Sequence, residues 1–99
     1  MMVSRLGAAK DTAGWIYEFT CDAASGREVA LAGSFNDWDP AAAPMKDPDG
    51  SGCYRCTVSL NPGSYEYKFV VDDEWILDDE NPNFAANDFG TLNSVLVVG

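Results

Sequence analysis

Two tryptophans lie in acidic, turn-rich segments where exposure to solvent is expected. Trp38 ends the turn SFNDW (34–38), and Trp75 follows the acidic turn DDE (72–74). An indole has a large apolar face and one N–H donor, so such a ring either anchors its own loop or stays outside to stack on a flat ligand. A pyranose ring is such a ligand, because axial C–H groups form an apolar face and hydroxyls lie at its edges. Spacing alone leaves both interpretations open.

Strand parity places a polar group beside one of these rings. In the alternating run YEYKFVV (65–71), the tyrosines and the phenylalanine are expected to face the core, so Lys68 faces outward. A two-residue turn at positions 72–73 or 73–74 reverses the chain and brings Trp75 back near the same sheet end. We therefore expect Lys68 and Trp75 to share an outer face. Trp15, by contrast, is in phase with the apolar residues of its own strand and is expected in the core or at its rim.

The sugar edge needs donors and acceptors in addition to aromatic faces. Lys68, Thr91 and Asn93 are the side chains that we expect to supply them. Each hydrogen bond contributes a net ~0.5 to 1.5 kcal/mol, so a site of this kind is shallow and weak for one sugar unit. Its affinity would rise as several units of a chain bind together.

Composition and charge exclude several classes of partner. The 99-residue chain has 16 acidic and 6 basic residues and a formal net charge of −10, which repels nucleic-acid phosphates and anionic lipids. No stretch of 18 apolar residues is present to span a membrane, and Met1 to Asp11 shows neither an apolar signal core nor a cleavage pattern. The sequence therefore predicts a cytoplasmic protein that binds neither nucleic acid nor membranes.

Apolar residues alternate with a period of two, and no window of a dozen residues shows a helical stripe. About seven short strands separated by turn signals predict an all-β, immunoglobulin-like antiparallel β-sandwich over residues 14–99. Residues 1–13 are predicted to form a flexible N-terminal segment. The turn signal NPGS (61–64) predicts a hairpin between the strands on either side of it.

Three motifs suggest redox, metal or catalytic chemistry, and each has a simpler structural explanation. Cys53 and Cys56 form a CxxC pair within a predicted strand, where sulfurs three positions apart point to opposite faces. The run 47–52 copies the first ligands of an EF-hand loop, but Val58 occupies the position of its last glutamate. The acidic turns 72–74 and 78–80 offer two carboxylates, but a small sandwich has no deep cleft to raise an acid's pKa. Since the chain also has no histidine, we predict no catalytic site, metal or cofactor.

Four ordered blocks of sequence carry a family resemblance: LAGSFNDW (31–38), PGSYEYKFVVDDEW (62–75), DDENP (78–82) and FGTLNSVLVV (89–98). They are similar to the glycogen-binding module of the AMP-activated protein kinase β subunit and, more broadly, to family 48 carbohydrate-binding modules. The similarity extends over about residues 14–98. It implies an early-set immunoglobulin-like sandwich that binds α-1,4-linked glucans such as glycogen, starch and maltooligosaccharides without catalysing a reaction.

The same resemblance assigns roles to individual residues. Trp38 and Trp75 correspond to the tryptophans that stack on glucose rings, and Lys68 corresponds to a lysine that bonds sugar hydroxyls. Thr91 and Asn93 match the polar pair on the last strand. The resemblance thus implies one sugar platform with a polar edge.

Phe89 is the position where this chain departs from the kinase module, which has a leucine that reaches through the ring of a cyclic glucan. The larger ring either strengthens stacking or blocks a cyclic glucan. An attached or associated glucan-active enzyme or kinase is an expected partner, because a catalytic barrel or a scaffold region accompanies these modules. The alternative function is a protein-interaction or regulatory module that keeps the sandwich without binding glucans.

Overall fold

The computed structural model describes residues 2–8 and 14–99, which form two antiparallel β-sheets around one core. The strands of this part of the chain are β1 Met2–Ala8, β2 Trp15–Asp22, β3 Val29–Gly33, β4 Cys53–Leu60, β5 Gly63–Val71, β6 Glu74–Ile76, β7 Phe84–Ala86 and β8 Leu92–Val98. One sheet has the order β1-β2-β4, and the other has the order β3-β5-β8-β7 with β6 paired to β5. The predicted all-β sandwich is confirmed. None of the described residues belongs to a helix with the length and apolar character of a membrane span.

The core fills the space between the sheets and follows the predicted parity. Tyr17, Phe19 and Cys21 alternate along β2 and are buried, and they meet Tyr67 and Phe69 of β5. The rings of Phe19 and Tyr67 pack edge to face with centroids 5.2 Å apart, a preferred aromatic geometry. Period-2 alternation therefore identified the buried faces of both sheets.

The N-terminal segment differs from its prediction at residues 2–8, because Met2–Ala8 form β1 and pair with β2. Arg5 of this strand donates to the Tyr17 hydroxyl at 2.7 Å, and its guanidinium carbon lies 4.3 Å from the centre of the Trp15 ring. Trp15 is half-buried at the rim of the core, as predicted. Arg5 stands two residues after Val3, which packs against the core, so a charged residue occupies a position where alternation would require an apolar one. The strand was therefore not recognised from the sequence pattern. The remainder of the predicted flexible segment lies outside the described residues.

The hairpin predicted across residues 61–64 is wrong, because β4 and β5 belong to different sheets. β4 pairs with β2, whereas β5 pairs with β3, β8 and β6. A Pro-Gly signal marks a change of chain direction, and it occurs both in hairpins and in connections between sheets. The sequence therefore located the turn without identifying the partner of the strand that follows.

A buried polar cluster attaches the long connection after β6 to the five-stranded sheet. Asp78 is 1 % exposed, accepts a hydrogen bond from the Tyr67 hydroxyl at 2.7 Å, and donates from its backbone N–H to the Ser94 hydroxyl at 3.0 Å. Asn81 donates to the Tyr67 hydroxyl at 3.0 Å and to the carbonyl of Val95 at 2.9 Å. Burial and the hydrogen bond to Asp78 raise the pKa of the Tyr67 hydroxyl. These bonds fix residues 78–81 against β5 and β8.

All three cysteines are free thiols. Cys53 pairs with Asp22 and Cys56 pairs with Phe19 across β2 and β4, so the CxxC motif lies in a strand as predicted. Burial raises the pKa of the Cys21 thiol and of the Cys56 thiol from 9.0 to about 11. Both groups are therefore held in the protonated form by the fold.

We expect the free energy of unfolding to fall as the pH rises from 9.0 towards 11, because the folded thiols of Cys21 and Cys56 have pKa values of about 11. Their contribution is complete below the unfolded-state pKa and is lost as the pH rises through the folded-state value. Urea unfolding at about pH 8 and about pH 10 measures the decline. Cys56→Ala should reduce this decline, and an identical decline in the variant and in the wild type would contradict the expectation.

Candidate functional site

The β5–β6 hairpin places Trp75 on the outer face of the five-stranded sheet. Asp72 and Asp73 have φ values of 47° and 69°, the left-handed pair that a two-residue type I′ turn requires. Val70 then pairs with Trp75, and Lys68, two residues earlier on β5, shares that face. Trp75 remains 44 % exposed, so its ring is not part of the core. Parity therefore predicted the placement of Trp75 and Lys68 correctly.

A tight turn after β3 brings Trp38 next to Trp75. Asn36 fixes this turn, because its Oδ1 accepts from the Gly33 N–H at 3.0 Å and its Nδ2 donates to the Leu31 carbonyl at 3.1 Å. The N–H of Trp38 donates to the Gly33 carbonyl at 2.9 Å. The centres of the two indole rings are 6.5 Å apart and their planes are tilted by 42°. The rings thus form two adjoining, angled walls.

The same sheet face carries a polar row, which consists of the hydrogen-bonded side chains of Lys68, Thr91, Asn87, Asn93 and Glu66. Lys68 Nζ donates to Thr91 Oγ1 at 3.0 Å, and Asn87 Nδ2 donates to Thr91 Oγ1 at 2.7 Å and to Asn93 Oδ1 at 2.9 Å. Asn93 Nδ2 in turn donates to Glu66 Oε1 at 3.2 Å. Lys68 and Asn93 are only 9 % and 7 % exposed. Because each member holds its neighbour, these donors and acceptors are oriented before any ligand arrives.

The turn between β7 and β8 presents Phe89 to solvent. Asn87 Oδ1 accepts from the backbone N–H of Phe89 at 3.0 Å and of Thr91 at 3.1 Å. Gly90 has a φ of 79°, a left-handed conformation that a residue without Cβ adopts readily. The Phe89 side chain is 92 % exposed at the tip of this turn. Asn87 therefore connects the turn that carries Phe89 to the polar row.

One groove of about 800 Å³ brings together all six predicted site residues, namely Trp38, Lys68, Trp75, Phe89, Thr91 and Asn93. Glu66, Asn87 and Asp88 also line it, and the sequence reasoning missed them. Parity places Glu66, two residues before Lys68 on β5, on the same outer face, but Glu66 was not among the predicted site residues. The Asx-turn chemistry of the run NDFG (87–90) could have identified Asn87.

The EF-hand-like run 47–52 and the CxxC pair of β4 do not line this groove. The carboxylates of Asp47 and Asp49 accept hydrogen bonds from residues 51 and 52 within a compact turn. Within residues 2–8 and 14–99, no group of three or more Cys, Asp or Glu side chains is arranged to hold a metal ion. A second depression of about 520 Å³ lies beside β4 and includes Lys46 and Arg55. None of the six predicted site residues lines it.

Comparison with known proteins gives matches over most of the chain. A family model described as the glycogen recognition site of AMP-activated protein kinase matches residues 18–99. The 5'-AMP-activated protein kinase subunit beta-2 of Homo sapiens is 32 % identical over 73 residues, which are 74 % of this chain and 25 % of that protein. Protein PTST homolog 2, chloroplastic, of Arabidopsis thaliana is 35 % identical over 74 residues, which are 75 % of this chain and 13 % of that protein. The chain therefore spans a quarter or less of the length of these relatives.

A solved structure of similar fold comes from a maltogenic amylase of S. marinus, with a TM-score of 0.79. The likeness covers 99 % of this chain and 16 % of the amylase chain, at 22 % sequence identity. At that identity the likeness supports the β-sandwich fold alone.

Proposed function

Because the chain belongs to the glycogen-recognition family of AMP-activated protein kinase, we propose that it is a non-catalytic carbohydrate-binding module for α-1,4-linked glucans. The observation that carries this proposal is the groove in which two angled indoles face a pre-oriented polar row. A pyranose needs both surfaces, because its C–H face is apolar and its hydroxyls lie at its edges. The proposed ligands are glycogen, starch and maltooligosaccharides.

The angle between the two rings favours a curved glucan. Trp38 and Trp75 are tilted by 42° with centroids 6.5 Å apart, so one flat surface cannot cover both rings. An α-1,4 linkage turns each glucose unit relative to the last, whereas a β-1,4 chain is extended and flat. Neighbouring units of a curved chain could therefore stack on the two walls in turn, with Phe89 available at the rim of the groove.

The polar row supplies the hydrogen bonds that the sugar edges require. Lys68 has three N–H donors, and a hydrogen bond to Thr91 accounts for one of them. The Thr91 hydroxyl and the Asn93 amide lie on the same groove wall. Each contact would contribute a net ~0.5 to 1.5 kcal/mol, so the affinity is expected to increase with the number of glucose units bound.

We further propose that the module brings an attached or associated glucan-active enzyme or kinase to the polysaccharide in the cytoplasm. The kinase β-2 subunits that the chain resembles are about four times longer than the matched segment, which covers 25 % of the human protein. The binding surface itself occupies one sheet face and leaves the three-stranded sheet free for other contacts.

Retention on immobilised glycogen tests the function directly. We expect the protein to be retarded on glycogen and released by maltoheptaose, and to pass cellulose without delay. Maltoheptaose should also change the tryptophan fluorescence, and Trp15→Phe should preserve that change because Trp15 lies at the core rim beside Arg5. Equal behaviour on glycogen and cellulose would contradict the proposal and would favour a protein-interaction module.

Lys68→Met should weaken glucan binding by about 1 kcal/mol, or roughly fivefold, because it removes the ammonium donors and keeps the alkyl stem. The fold should be unaffected, since Thr91 keeps its hydrogen bond from Asn87. Calorimetric titration with maltoheptaose measures the loss, and thermal unfolding provides the control. A variant that binds as tightly as the wild type would show that Lys68 makes no sugar contact.

A further inference from the structure

We propose that Glu66 is a specificity-determining residue that makes the groove select neutral glucans over glucans carrying phosphate esters. This inference rests on the proposed function, because it concerns which glucans the same groove accepts. Glu66 lies at one end of the polar row, where its carboxylate accepts a hydrogen bond from Asn93, and Lys68 lies at the other end. Its role would be to accept a hydrogen bond from a sugar hydroxyl and to repel an anion at the same position.

The groove contains more negative than positive side chains. Among residues 2–8 and 14–99, its lining contains the carboxylates of Glu66 and Asp88 and one ammonium, that of Lys68. Lys68 is 9 % exposed, and its ammonium is already engaged in a hydrogen bond to Thr91. Glu66 is half-buried and Asp88 is exposed. The two carboxylates are therefore opposed by one ammonium, and the lining of the groove carries a net negative charge.

The hydrogen bonds of Glu66 leave one acceptor available. Asn93 Nδ2 donates to Oε1 at 3.2 Å, and Oε2 receives no donor from the described residues. A carboxylate accepts strong hydrogen bonds from hydroxyl groups, which every unsubstituted glucose unit offers. A phosphate monoester carries a charge of about −1.5 to −2 at neutral pH and offers acceptors where the hydroxyl offered a donor. The same carboxylate would thus attract one ligand and repel the other.

Affinities for matched neutral and phosphorylated ligands test this inference. Titration calorimetry would compare maltoheptaose with maltoheptaose that carries one phosphate monoester, at low ionic strength where charge repulsion is least screened. We expect the wild type to bind the phosphorylated ligand about tenfold more weakly, as like charges separated by several ångströms in a partly solvated groove would produce. Added salt of about 0.5 M should narrow that ratio.

Glu66→Gln removes the charge and keeps an amide oxygen that can accept the hydrogen bond from Asn93. We expect the tenfold ratio to fall to about threefold or less. Affinity for maltoheptaose should also fall, by about threefold to fivefold, because the uncharged amide is a weaker acceptor for a sugar hydroxyl. Asp88→Asn, on an exposed turn, should narrow the ratio by about twofold without risk to the fold. Glu18→Gln is the matched control, because it removes one charge from β2 in the other sheet and should leave the ratio unchanged.

The outcomes separate this inference from the proposed function. Wild-type binding of both ligands within twofold of each other would overturn the selectivity and leave glucan binding intact. A tenfold ratio that both Glu66→Gln and Asp88→Asn leave unchanged would overturn the role of the groove carboxylates. If the wild type bound neither ligand, the proposed function and this inference would fail together.

Discussion

Trp75→Ala and Trp38→Ala should each reduce glucan affinity by about thirtyfold, the largest effect on binding that we expect from a single substitution. A pyranose that covers one indole face buries roughly 80 Å² of apolar surface, which corresponds to about 2 kcal/mol. Trp75 is 44 % exposed, so its removal should weaken binding without unfolding the sandwich. Retention on glycogen and titration with maltoheptaose measure the effect, and thermal unfolding checks the fold.

The contact between the two rings predicts how the double variant behaves. Since the indoles of Trp38 and Trp75 lie 6.5 Å apart, they are close enough for their effects to be non-additive. Trp38→Ala/Trp75→Ala should abolish measurable retention. Trp15→Phe is the matched aromatic control and should bind as tightly as the wild type. Full retention by the double variant would show that the indoles of Trp38 and Trp75 do not hold the sugar.

Asp78→Ala should lower the free energy of unfolding by about 3 kcal/mol, the largest stability effect that we expect. Asp78 is 1 % exposed, and its carboxylate accepts from the Tyr67 hydroxyl at 2.7 Å and from the Glu80 N–H at 3.2 Å. Removing the carboxylate takes its acceptor from the buried Tyr67 hydroxyl and also removes an acceptor of the partly buried Glu80 N–H. A loss of this size is a large share of the 5 to 15 kcal/mol typical of a domain. Urea unfolding at neutral pH measures it.

Two variants distinguish loss of the acceptor from loss of charge. Asp78→Asn should lower the free energy of unfolding by about half as much as Asp78→Ala, because the amide has one acceptor oxygen for two donors and adds an N–H₂ group to the site. Asp79→Ala, at the exposed neighbouring position, should change stability by less than about 0.5 kcal/mol. If Asp78→Ala were as stable as Asp79→Ala, the buried cluster would not hold the connection after β6.

Local alternation was sufficient to predict the buried faces of the strands and the outer face that Lys68 and Trp75 share, whereas Phe89 was assigned to the site from the family resemblance. Side chains in a strand alternate strictly between faces, so the buried faces of β2 and β5 followed from the spacing of their aromatic residues. The same parity, together with the two-residue turn at positions 72–73, placed Lys68 and Trp75 on one outer face. These inferences needed no knowledge of distant pairing partners.

The features that depend on distant contacts could not be predicted in this way. The partner of β5 is decided by packing between sheets, which the Pro-Gly signal at 62–63 does not encode. β1 was missed because Arg5, rather than an apolar side chain, covers Trp15 at the rim of the core. The role of Asn87 depends on bonds to Thr91 and Asn93 across a turn, so it emerges only once that turn is built.

Calorimetric titration of the wild type with a series from maltotriose to maltoheptaose tests the central claim most directly. Two angled indoles and a polar row in one groove predict saturable binding whose affinity rises with chain length, because longer chains reach both rings and more hydrogen-bonding groups. Cellobiose should give no binding heat. Absence of saturable heat with maltoheptaose, from a protein that unfolds cooperatively, would contradict the assignment of this groove to α-1,4-linked glucans.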